Sequence, residues 1–125
     1  MLDKALLLVA SLVVAAWGVA HLVPTRSVVA SFGTISVDNR RVLTMEWVAE
    51  GLTMLFVGVL VAAVTLIDGG NDAVAVLVDR LAAGLLAGIA VLTAVTGART
   101  AVIWFRACPY VLAVCIALLL LGSWR

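Results

Sequence analysis

The sequence predicts an all-α protein, an integral membrane four-helix bundle with antiparallel up-down spans and a short interfacial segment between spans one and two. Three observations predict it. The chain is 66% hydrophobic and 12% charged, with a mean hydropathy of +1.28, whereas a soluble domain is about half apolar and a quarter charged. The apolar residues fall into four runs, 3–23, 46–67, 73–96 and 101–122, each close to the ~20 residues that cross a bilayer as a helix. Short polar or glycine-containing connections separate the later runs. A chain of 125 residues holds one such membrane domain and no second one. A net charge of +1 leaves no basic surface of the kind that nucleic acid needs, so the expected partner is the lipid bilayer.

Span one follows Asp3 and Lys4 and ends at Pro24, which cannot donate to a helix ladder. Gly18-Val19-Ala20 has the small residues of a signal cleavage site, but the apolar run exceeds a usual signal core, and it reads as a retained span. In the long connection, Val28, Val29 and Phe32 fall close together if helical, which suits a segment lying in the interface, and Gly33 breaks it. Asp38 is the expected N-cap of the next helix, with Asn39, Arg40 and Arg41 in its first turn. That helix then begins before the lipid does and ends near Ile67, where Asp68-Gly69-Gly70-Asn71-Asp72 forms a turn. Span three begins at Ala73 or at Leu81, so Asp79 and Arg80 either cap it or sit a turn or two inside. Gly84 and Gly88 form a GxxxG face through which another helix can approach closely. Gly97-Ala98-Arg99-Thr100 reverses the chain. Span four then runs through Pro109, where a kink is expected, to an anchor at Trp124-Arg125.

Four spans put both termini on one side. One membrane edge then collects Arg26, Arg40, Arg41, Arg99 and Arg106, and the other Lys4, Arg80 and Arg125, five cationic side chains against three. Positive charge favours the cytoplasm, so the termini are expected outside a bacterial cytoplasmic membrane.

The functional candidates gather at the arginine-rich edge. At about 100° per residue, Glu46, Glu50, Thr53 and Val57 share an arc of the second span. Carboxylates at membrane depth are costly and read as functional or paired. Arg99, Arg106 and Tyr110 share one face of span four, with Cys108, Cys115 and Trp104 opposite. Trp17 and His21 share a face of span one. His21, Glu46, Glu50, Thr53, Arg106, Tyr110 and Trp17 therefore line a candidate polar pocket, with Glu50 expected to meet Arg106.

Such a pocket suits binding or transport of a small ligand or ion, through a carboxylate that changes partner on protonation. It also suits a membrane enzyme in which Glu46 or Glu50 exchanges protons with His21 on a lipophilic substrate. His21, Glu46 and Glu50 offer three ligands to zinc or iron, without a Glu-x-x-His motif. Haem ligation by His21 has only Met45 or Met54 as a second axial candidate. A plainer role stands beside all of these: ion pairs that fix helix register. Trp47, Trp104 and Trp124 read as aromatic-belt residues. Cys108 and Cys115 read as small packing residues, too far apart along one helix for a mutual disulfide.

The run Val37-Asp38-Asn39-Arg40-Arg41-Val42-Leu43-Thr44-Met45-Glu46-Trp47, then Gly51-Leu52-Thr53 and Phe105-Arg106-Ala107-Cys108-Pro109, resembles small bacterial four-span proteins. In size and layout the chain is similar to the DoxX-like group. The resemblance covers the layout of most of the chain and carries over no functional residue. The function expected is ligand or ion binding by a homo-oligomer or by a subunit of a membrane complex. An accessory assembly role and a membrane enzyme are the alternatives.

Overall fold

The structure is a computed structural model and describes residues 1–68 and 72–124. Its helices are α1 (Leu2–Leu22), α2 (Thr25–Ser31), α3 (Val37–Asp68), α4 (Ala73–Val95) and α5 (Ile103–Gly122), with a 3-10 turn at Gly97–Arg99. All but α2 are long and apolar enough to cross a membrane, so the chain is a multi-pass helical bundle. The turn expected at Gly69-Gly70-Asn71 and the anchor at Arg125 lie outside the described residues.

Helix α1 gives way at Pro24, and α2 starts at once, its first turn closed by the Val28 N–H on the Pro24 carbonyl at 2.9 Å. Only Val29 of α2 is buried, while Phe32 faces out. Gly33 takes φ +71, a left-handed conformation that suits glycine, and the helix stops there. Helix α3 begins at Val37, ahead of its apolar run. Its cap is Ser36 and not the expected Asp38: the Asn39 N–H donates to Ser36 Oγ at 3.1 Å. Asp38 is the second helical residue, exposed and 3.6 Å from Arg41. The cap falls on Ser36 because its side chain precedes the first helical residue and reaches the third N–H.

Of the two starts weighed for span three, the helix takes Ala73. Asp79 therefore lies two turns inside and is only 1% exposed. Thr100 and Val102 are extended, which delays α5 to Ile103. Helix α5 runs on through Pro109 to Gly122.

The core follows one rule in all four long helices. Leu7, Ser11, Val14 and Gly18 are buried on α1; Gly51, Met54, Gly58, Val61 and Thr65 on α3; Ala75, Asp79, Ala82 and Leu86 on α4; Cys108, Leu112, Cys115, Leu119 and Gly122 on α5. Steps of four and three residues alternate, the seam of left-handed packing at about 20°. Helix α1 lies between α3 and α5, and α4 rests mainly on α5.

The closest seam is α1 against α3. A Cβ on Gly58 would stand 2.5 Å from the Ser11 carbonyl oxygen, and one on Gly18 2.6 Å from the Leu55 nitrogen. These glycines let the two backbones touch. The GxxxG pair expected to do so does not: a Cβ on Gly84 or Gly88 would meet nothing within 4 Å. In lipid, helices associate through close packing of small residues, and within the chain Ser11, Ala15, Gly18 and Gly58 do that work. Gly84 and Gly88 are turned outward because α4 buries the stripe through Ala82 and Leu86.

Candidate functional site

His21 is the last residue of the α1 stripe, one step of three beyond Gly18. Trp47 extends the α3 stripe one step of four before Gly51. The two therefore meet in the terminal layer of the bundle. Their rings stack with centroids 3.8 Å apart and planes 15° apart. The Trp47 indole N–H donates to the His21 backbone carbonyl at 2.9 Å. This satisfies one of the orphan carbonyls at the end of α1. Phe105, in the first turn of α5, tilts against Trp47 with ring centroids 5.5 Å apart. Trp47 was expected to point into an aromatic belt; instead it is a wall of the site. Trp104 and Trp124 do face outward.

Glu50 lies one turn from Trp47 on α3. Its carboxylate comes within 3.7 Å of His21 Nε2. The two side chains are 11% and 28% exposed, respectively. That separation is beyond a direct hydrogen bond, and His21 Nε2 is buried without a hydrogen-bond partner. Gly51 makes the approach possible, since a Cβ there would fall 2.6 Å from Leu22 Cδ2 and 3.2 Å from His21 Cδ2.

A second contact continues the cluster inward. The Trp17 indole N–H donates to Cys108 Sγ at 3.4 Å. Thr93 lies beside the same thiol, and the Glu50 charge is within electrostatic reach of it. Cys108 and Cys115 are both free and buried.

The expected pairing of Glu50 with Arg106 does not form. Arg106 is exposed, and the partner of Glu50 is His21. Two facts explain this. Helix α5 starts at Ile103, so Arg106 rises only about 4.5 Å from the helix start, within reach of the head groups. The cysteine face of α5 is also the buried one, and Arg106 and Tyr110 lie about 200° from Cys108 around the helix. Tyr110 is accordingly 75% exposed. On α3 the buried arc is centred on Met54 and Val61, which leaves Glu46 on the outer flank and exposed. Thr53 is half-buried on the same flank, and its hydroxyl donates to the Ala49 carbonyl at 2.7 Å. Within lipid a hydroxyl is satisfied by its own helix in this way. Of the seven candidates, the structure brings together His21 and Glu50, with Trp17 adjoining through Cys108. It leaves Glu46, Thr53, Arg106 and Tyr110 outside.

Among the described residues no three His, Cys, Asp or Glu side chains converge as a metal site requires. With Glu46 turned outward, the candidate ligand set reduces to the His21–Glu50 pair. Trp47, Phe105 and Cys108 join the site unforeseen. The signal that places them is their continuation of the three-and-four stripe. Asp79 is a buried carboxylate at the opposite edge. Comparison with protein-family models, with characterised proteins and with solved structures found no match.

Proposed function

We propose that the protein binds a small ion, in the simplest case a proton, at the His21–Glu50 pair near one face of the membrane. The observation that carries this reading is the buried His21 Nε2, without a hydrogen bond and turned to a carboxylate at 3.7 Å. Two titratable groups that interact strongly enough bind protons as a pair. A proton held by either one changes the attraction between α1 and α3, which gives a two-state element. Packing by Trp47 keeps the imidazole in place. The proposed setting is a bacterial cytoplasmic membrane with both termini outside, in keeping with the arginine excess at the site's edge. The DoxX-like group, alike in size and layout, is the family we propose.

The chain has a single histidine, so imidazole nitrogen-15 resonances in nanodiscs report this site alone. Glu50→Gln is expected to move the His21 titration midpoint by about one unit or more. An unchanged midpoint in a folded variant rejects the pair as a proton-binding unit.

A second reading, a subunit that assembles through α4, is favoured by the open space over Gly84 and Gly88. Larger side chains there hold a partner helix away. Gly88→Leu is expected to reduce the oligomer in detergent; an unchanged elution volume rejects that face.

A further inference from the structure

Helix α2 folds back beside the first turns of α3, and the two enclose a notch of about 220 Å³ lined by Thr25, Arg26, Val29, Arg40 and Thr44. Two arginines thus border one small volume. Of the other charges on this part of α3, Glu46 is exposed and the rest face partners. Arg41 is 3.6 Å from Asp38, and Glu50 faces His21. Neither Arg26 nor Arg40 makes an ion pair with a described residue. Both threonine hydroxyls are used as donors, Thr25 to the Leu22 carbonyl at 2.5 Å and Thr44 to the Arg40 carbonyl at 2.8 Å. The free donors of the notch are therefore the guanidinium N–H groups, five on each arginine. Their planar forks match the oxygens of a phosphate. Val29, buried at 7% exposure, supplies an apolar lining residue.

The position fits this chemistry. Helix α2 follows the end of a membrane span, and Arg40 stands on the part of α3 that precedes the apolar run. The notch therefore lies at head-group level.

We propose that this notch binds the phosphate of an anionic lipid head group, with Arg26 and Arg40 as its two ligands. The site is separate from the His21–Glu50 pair and stands without it. The polar lining takes the phosphate and the apolar residue meets the start of the lipid's glycerol.

Native mass spectrometry of the full chain, released from nanodiscs of phosphatidylglycerol mixed equally with phosphatidylcholine, tests it. Phosphatidylglycerol is expected to be retained over phosphatidylcholine by about thirtyfold, from roughly 1 kcal/mol of head-group attraction per arginine. Arg26→Gln with Arg40→Gln is expected to abolish the preference, while Arg41→Gln keeps it. Inorganic phosphate at millimolar concentration separates the two sources of the anion. If it leaves lipid retention unchanged, the ligand is the lipid. If it displaces the lipid, the notch is a phosphate site open to free anion, and the assignment to lipid falls. Equal retention of the two lipids by the wild type, or a preference that survives the double substitution, overturns the site itself. Circular dichroism of each variant confirms that the bundle is folded when the comparison is made.

Discussion

His21 and Glu50 define the finest scale at which this chain is organised. Their side chains approach to 3.7 Å, whereas Arg106 is exposed on the outer face of α5. A double-mutant cycle separates these relations. His21→Gln and Glu50→Gln are expected to be non-additive in stability, coupled by about 0.5 kcal/mol or more, because each removes the other's partner. Glu50→Gln and Arg106→Gln are expected to add, since they share no contact. Arg106→Gln alone is expected to change stability by no more than about 0.5 kcal/mol, as exposed positions usually do. Thermal unfolding in one detergent gives all four corners. The Glu50 half of the site was legible in the sequence because a carboxylate inside an apolar run demands a partner. The partner was not, because the apolar run that starts at Ala101 sets Arg106 deeper in the span than it lies. Extended Thr100 and Val102 delay α5 and leave Arg106 in the first helical turn, a detail of local backbone that the apolar pattern does not record.

At the scale of elements, four spans and an interfacial helix follow from the apolar runs and from Pro24 and Gly33. Which face of each span turns inward does not follow from hydrophobicity. Phe56 is 63% exposed and Met54 on the same helix is fully buried, yet both are apolar. Lipid accepts either one, so the usual contrast between core and surface is erased. What does mark the inner face is where small and polar residues fall at steps of three and four: Ser11, Gly18 and His21 on α1, Gly51, Gly58 and Thr65 on α3, Cys108, Cys115 and Gly122 on α5. The GxxxG at Gly84 and Gly88 was the more familiar pattern and lies on the open side of α4. Two leucine substitutions distinguish these glycines. Gly58→Leu drives a side chain at the Ser11 backbone and is expected to cost about 3 kcal/mol or to prevent folding. Gly84→Leu meets nothing within the chain and is expected to leave the melting temperature of the monomer unchanged. Equal losses at the two positions would contradict the α1–α3 seam.

For the whole molecule, four crossings place both ends of the chain at one membrane face and the loop that contains α2 at the other. The orientation proposed above from the arginine excess puts that loop in the cytoplasm. A single cysteine in the loop reports the side directly, against a background in which Cys108 and Cys115 are buried. Thr34 is the suitable position, since it is exposed, whereas Ser36 caps α3 and its loss costs about 1 kcal/mol. Thr34→Cys is expected to resist a membrane-impermeant maleimide in intact cells and to react once the cells are opened. Reaction in intact cells reverses the orientation.

Helix α3 has 32 residues and α1 only 21. At 1.5 Å per residue these are about 48 Å and 32 Å, against a hydrocarbon layer of roughly 30 Å. The surplus is concentrated where α2 packs on α3, with Ser36, Arg40 and Thr44 along it. A rod longer than the bilayer, with a crossbar at one end, works as a depth gauge. Tilting α3 to fit a thinner membrane swings the crossbar, and burying it in a thicker one submerges two arginines. A change of bilayer thickness is therefore expected to act first at the contact between α2 and the extended start of α3.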